Sequence, residues 1–251
     1  MCSSDLVAAY YLAYGAQSSE RAKANWAGAQ LVNRAIFFGT PFRGSMIAFR
    51  SFEKGSGLPF SSRLLSADAM SSFPSMYQLI PQSNFLFRST GEKMPVDLFH
   101  PEIWKKHGFG LLRKRQLLDV TFNKNREEFL EKWLKKSRLF RSLLKEQTHR
   151  APSHFRVLNI IGNTQKTLAS AYLNTENGQL LFDPKEIKAS RLDHAPLYEP
   201  GDETVTAASA ALPGAFLEVG KTIEVESAHD KLFLDPKAES EYKLFLSSIL
   251  Q

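Results

Sequence analysis

Ile36-Phe37-Phe38-Gly39-Thr40-Pro41-Phe42-Arg43-Gly44-Ser45 is the stretch that decides how this 251-residue chain is read. Residues 32–38 form a short apolar run that glycine and proline then close. That is the pattern of a β-strand delivering the chain into a turn-rich loop. Before it, residues 6–15 read as a compact apolar helix ended by Gly15, and residues 16–30 as a polar, alanine-rich loop or continued helix.

After it, from 46 to 152, short helical pieces and loops dominate, punctuated by Gly and Pro. The long helix in this region is expected over 125–147, where Phe129, Trp133, Phe140, Leu143 and Leu144 recur near helical spacing. Its other face carries Lys132, Lys135, Lys136, Arg138, Arg141 and Lys145. Such a face is either solvated or a basic surface that leans on anionic lipid. A second strand follows at 155–161, and a β-hairpin at 168–182 turning on Asn177-Gly178, a dipeptide favoured where both turn residues need positive φ. A third strand is expected at 222–225 and an amphipathic helix at 238–250. Strands separated by helical crossovers imply an α/β fold, a mostly parallel sheet flanked by helices. The 46–152 segment is too long for an ordinary connection and reads as a helical cap or lid. The division is then 6–45 plus 153–251 as core, and 46–152 as cap.

Two short motifs carry the chemistry. Glu199-Pro200-Gly201-Asp202-Glu203-Thr204-Val205-Thr206 places a carboxylate on a fixed loop after a strand region. Ser227-Ala228-His229-Asp230 places a histidine directly past the third strand. Acid before histidine matches the last two members of the order nucleophile, acid, histidine. Each motif alone is ordinary, since Gly-Asp is commonly a turn and a histidine after a strand commonly a surface residue. His194 precedes the acid and breaks the order. His100, His107, His149 and His154 fall in or beside the cap, and Asp230 ranks below Asp202. No metal-ligand spacing, Walker loop or dinucleotide fingerprint occurs, so no cofactor and no metal is expected.

Composition narrows the rest. The net charge of +6 suits anionic surfaces in general, but there is no aromatic-interleaved basic motif, so nucleic acid is not an expected partner. No run reaches the roughly 18 apolar residues of a membrane span. The lone cysteine, Cys2, fits a reducing compartment. A cytoplasmic or membrane-associated setting is expected over secretion, although localisation itself stays open.

The chain resembles the lecithin:cholesterol acyltransferase-like branch of the α/β-hydrolases. The resemblance rests on the Ile36–Ser45 strand and loop quoted above, on Phe73-Pro74-Ser75-Met76-Tyr77-Gln78-Leu79-Ile80-Pro81, on Gly201-Asp202-Glu203-Thr204-Val205 and on Ala228-His229. Leu6-Val7-Ala8-Ala9-Tyr10-Tyr11-Leu12 resembles the helix after that family's Gly-His-Ser-x-Gly-Gly elbow. The resemblance implies a serine lipase, esterase or O-acyltransferase acting on a lipid or other hydrophobic ester. Asp202 would orient His229, and His229 would serve as general base and acid. Thr40, Pro41 and Arg43 would lie on the site rim. Phe49, Phe52, Phe60 and Phe73 would form an acyl-binding cap or simply the cap core.

The nucleophile is expected just before Leu6, where Cys2-Ser3-Ser4-Asp5 stands instead of the elbow. None of Cys2, Ser3 or Ser4 has the small neighbours that a strained elbow needs. Residues 1–5 and part of the codon for Leu6 also back-translate, with GTG as start, to GTG-TGC-TCT-TCC-GAT-CT, the end of a sequencing adapter. They are expected to be foreign sequence fused to a truncated gene, leaving this chain without catalytic activity. A non-catalytic hydrolase-like lipid-binding or interaction module is the alternative.

Overall fold

The run at 32–38 does become a strand in the computed structural model, which describes residues 3–57, 64–82, 85–88, 91–113, 120–145, 150–174, 176–186 and 197–248. In chain order the elements are α1 (Ser3–Tyr14), β1 (Arg34–Phe38), α2 (Met46–Lys54), β2 (Ser56–Gly57), β3 (Leu64–Leu65), α3 (Ala67–Ser72), α4 (Pro74–Tyr77), β4 (Phe85–Arg88), β5 (Lys93–Pro95), α5 (Pro101–His107) and α6 (Val120–Lys145). They continue with β6 (Arg156–Gly162), β7 (Gln165–Leu168), β8 (Tyr172–Leu173), β9 (Leu180–Leu181), β10 (Tyr198–Gly201), α7 (Ala207–Ala210), β11 (Gly220–Val225) and α8 (Pro236–Ser247). The fold is mixed α/β, with parallel and mixed sheets.

The chain divides into two compact units. The first comprises 1–43, 139–167 and 199–251; the second comprises 44–138 and 168–198. The sequence division had kept 168–198 with the core. Strand pairing explains the difference, because β8 runs parallel to β4 at Phe87↔Tyr172 and Arg88↔Leu173.

In the first unit β1, β6 and β11 form a parallel sheet with β6 in the centre. Phe38 and Ile223 both register with Ile160. One face of this sheet buries Leu158, Ile160, Ile223 and Val225 with Leu232 and Ala238, and Ile36, Phe38, Tyr242 and Phe245 pack against them. Phe37 lies on the opposite face, edge-on to Phe42 and Phe216, with Trp26 beyond Phe216. That is the alternation a strand imposes. Helix α8 starts where Asp235 accepts from the amides of Lys237 and Ala238, with Pro236 at the first helical position.

The second unit is built on aromatic side chains. Phe49, Phe52, Tyr77, Trp104 and Phe109 are all at most 1% exposed and meet mainly edge-to-face, with ring centroids 5.1–6.1 Å apart in the pairs that include Trp104 or Tyr77. The indole N–H of Trp104 donates to the Leu98 carbonyl at 2.7 Å. This unit also holds the four-stranded sheet β5-β4-β8-β9 and the β2-β3 pair, where the sequence reading saw only helical pieces and loops before the hairpin. Strands of two to four residues are too short to show a period.

Two further differences are local. The 168–182 hairpin forms, with Tyr172↔Leu181 and Leu173↔Leu180. Its loop, however, is closed by Asn174 and Gln179, and of the two expected turn residues only Gly178 has positive φ, 71°. Arg141 is the other: it was assigned to the outer basic face of α6, yet it is 2% exposed. Its guanidinium turns inward because it caps the carbonyls of Pro41 and Phe42. Lys132, Lys135, Lys136, Arg138 and Lys145 are exposed as expected, and the Lys132 and Lys136 ammonium groups sit over the Trp133 ring. No helix among the described residues is long and apolar enough to cross a membrane.

Candidate active site

At the C-terminal ends of β1 and β6 the chain needs room. Gly39 follows β1 with φ 55°, and a Cβ there would stand 2.6 Å from Asp202 Oδ2, 2.9 Å from His229 Nδ1 and 2.7 Å from Leu232 Cδ1. Gly162 ends β6, and a Cβ there would lie 2.7 Å from the Asp202 Cβ and 2.8 Å from the Ser227 carbonyl oxygen. Real Cβ atoms do not approach so closely, so both strands end in glycine because the acid and the histidine occupy that space.

Asp202 follows β10 and is fully buried. One carboxylate oxygen, Oδ1, accepts from the amides of Thr204 at 3.0 Å and Val205 at 2.7 Å. The other, Oδ2, meets His229 Nδ1 at 2.7 Å. The turn is tight enough that Glu203 adopts φ 75°, a left-handed conformation costly for a non-glycine residue. Thr167 on β7 holds it there, its hydroxyl accepting the Glu203 amide at 2.8 Å.

His229 opens a 3₁₀ helix, His229–Leu234, directly after β11. Its amide donates to the Asp202 carbonyl at 2.9 Å, so acid and histidine are joined through the backbone as well as through side chains. The short helix is clipped at its base, where the Ser227 hydroxyl donates to Asp235 at 2.6 Å. Those donors, the Ser227 hydroxyl first, hold the Asp235 carboxyl below its ordinary range. The imidazole is largely enclosed, its side chain 18% exposed, and among the described residues Nε2 has no hydrogen-bond partner. A carboxylate on Nδ1 fixes the proton there and leaves the Nε2 lone pair to receive another. The pair can therefore take a proton from a hydroxyl presented to Nε2 and return it later.

Thr40, Pro41 and Arg43, expected on the rim, fix the loop after β1 in place. Thr40 is fully buried, and its hydroxyl donates to Asp5 Oδ2 at 2.9 Å, tying the first turn of α1 to the loop after β1. The position just before Leu6 thus adjoins the loop that begins at Gly39. Pro41 presents its carbonyl to Arg141 at 3.0 Å. Arg43 donates to the carbonyls of Ala208 and Ala211 at 2.7 and 2.9 Å, locking this loop onto α7 beyond the acid. Burial, and secondarily the charge of Arg43, lowers the Arg141 guanidinium to about 9.

The remaining candidates lie elsewhere. Asp230 is exposed, His100 precedes α5 on the surface, and His154 meets the Ala29 carbonyl at 3.2 Å. Phe49 and Phe52 are core, while Phe73 is 45% exposed. Cys2, Phe60, His149 and His194 lie outside the described residues. No group of three His, Cys, Asp or Glu able to hold a metal occurs among the described residues. Sequence reasoning placed Arg141 on the wrong face, missed Thr167, and read the two glycines only as strand stops. Of these only the glycines left a signal, as each ends an apolar run.

No protein-family model matches the chain, and no curated protein sequence matches it.

Proposed function

We propose that the chain carries the acid–histidine half of a serine α/β-hydrolase of the lipase/acyltransferase kind, acting on a lipid or other hydrophobic ester. The observation that carries the reading is the Asp202–His229 contact at the strand ends of a parallel sheet. In this reading a serine presented just before Leu6 attacks the ester carbonyl. His229 takes its proton at Nε2 and returns it to the leaving alkoxide, and Asp202 keeps the ring in register. Water or an alcohol then releases the acyl group. The exposed lysines of α6 are the surface through which the protein meets an anionic membrane.

The test begins with long-read sequencing across the codon for Val7. An upstream strand followed by Gly-x-Ser-x-Gly is expected, and protein made with it should hydrolyse a p-nitrophenyl acyl ester. His229→Ala should then cut turnover by roughly a thousand-fold or more, and Asp202→Asn should also be severe. Near-normal turnover in His229→Ala refutes the assignment. Native upstream codons without a serine turn leave the non-catalytic lipid-binding module instead.

A further inference from the structure

The second unit contains a cavity of about 590 Å³, within the range of small-molecule sites. Its wall takes Lys54 from the end of α2, Lys105, Lys106 and His107 from the end of α5, and Arg113 from just beyond. Lysines in the last turn of α5 suit the negative end of a helix dipole. Lys54 and Arg113 come from other parts of the chain, and the dipole of α5 does not account for them.

Carboxylates outside the lining pair with three of these cations. Glu186 pairs with Lys54 at 3.2 Å, Glu102, Glu127 and Glu131 with Lys105 at 3.0, 3.8 and 2.7 Å, and Asp68 with Arg113 at 3.5 Å. None of these five acids lines the cavity. Lys106 has no carboxylate partner among the described residues. The single acid in the wall is Glu53, whose Oε1 is taken by the Gly110 amide at 2.7 Å. Burial raises the Glu53 carboxyl above its ordinary value, against the pull of Gly110, Arg113 and Lys54. Burial, and then the charge of Lys106, lowers the His107 imidazole, which stacks on Phe109. The wall therefore holds four cations against one acid whose charge is disfavoured.

The β8–β9 hairpin completes the lining. Gly178 approaches so closely that a Cβ there would stand 3.0 Å from the His107 carbonyl oxygen, and Asn177, whose Oδ1 accepts the Gln179 amide at 2.9 Å, and Gln179 join the lining. Four cations drawn from α2, α5 and the turn after it exceed what one carboxylate can contact. A phosphate brings nearly two negative charges and three acceptor oxygens. The volume also leaves space for a polar organic group beside the amides.

We infer that this cavity binds the phosphate group of a phosphate ester through Lys54, Lys105, Lys106 and Arg113, with the alcohol moiety against Asn177 and Gln179. This site is independent of the Asp202–His229 reading.

The test uses the full chain and inorganic phosphate in isothermal titration calorimetry. Binding should saturate and weaken at least about ten-fold in the Lys54→Gln/Lys106→Gln pair, both exposed positions, with the thermal midpoint unchanged. Lys132→Gln/Lys136→Gln on α6 should leave affinity unaltered. Phosphate should also raise the His107 pKa in NMR titration, against the opposing charges of Lys54, Lys105, Lys106 and Arg113 and with Glu53 as the nearby acid. Vesicles of phosphatidylcholine with phosphatidic acid, compared with phosphatidylcholine alone, identify the source. Competition with phosphate marks a lipid headgroup; no competition, alongside saturable phosphate binding, marks a soluble ester. Failure to saturate, equal affinity in the Lys54/Lys106 pair, or an equal loss in the α6 pair overturns the inference.

Discussion

The Asp202–His229 pair and the aromatic cluster around Trp104 are both enclosed by the fold, but they are held in opposite ways. Around Asp202 the stabilising groups are backbone amides and the space is defined by what is absent, the Cβ atoms of Gly39 and Gly162. Around Trp104 the stabilising groups are ring faces and edges, and the space is defined by what fills it. A site built from backbone and glycine tolerates little addition. A cluster built from rings tolerates little removal, yet accepts another ring of similar size.

The largest stability effect should come from removing volume. Trp104→Ala should destabilise the protein by about 4 kcal/mol in urea unfolding, with loss of near-ultraviolet circular dichroism. Trp104→Phe should cost far less, and equal losses for the two would break the contrast. Next comes the addition of a single methyl group. Gly39→Ala should cost roughly 2–3 kcal/mol, because the new Cβ meets both Asp202 and His229 in a left-handed backbone conformation. It should also remove the downfield proton resonance of the His229–Asp202 hydrogen bond; survival of that resonance would show that the strand end can yield.

The smallest effect concerns the clip beneath His229. Asp235→Ala should cost about 1 kcal/mol as a lost helix cap. The Asp235 carboxyl is lowered in the folded state, so its charge-dependent contribution is present above the unfolded aspartate value near 4 and is lost as pH falls through the folded value. Asp235→Asn keeps a capping oxygen and should flatten that part of the acid limb. An unchanged acid limb in Asp235→Asn would assign the pH dependence to other carboxylates.

What the sequence disclosed follows the same contrast. Strands β1 and β6 were legible because Ile36–Phe38 is an apolar run, and Val157–Ile161 one broken only at Asn159, each stopped by glycine. The acid and histidine were legible because each follows a strand signal. The long helix was legible where Phe129, Trp133 and Phe140 repeat, but its first turns, from Val120, carry no apolar stripe. The sheet of the second unit was hidden because β4 finds its partner β8 more than eighty residues onward, a pairing that no local pattern records. Arg141 was misread for a similar reason: on a helical wheel it belongs with lysines, and only the distant carbonyls of Pro41 and Phe42 turn it inward. The cationic cavity draws its wall from α2, α5 and the hairpin, and no local window contains it.

The register of β1 with β6 has a consequence for biosynthesis. Arg34 pairs with Arg156, so 156 − 34 = 122 residues must be added before the first strand meets its neighbour. At ribosomal rates of about 5–20 residues per second that interval is roughly 6–24 s. Closing so long a loop is slow relative to local helix formation. Throughout that time Ile36-Phe37-Phe38 waits for β6, its neighbour among the described residues. The segment most diagnostic of the fold is thus the one a chaperone has most reason to hold during synthesis.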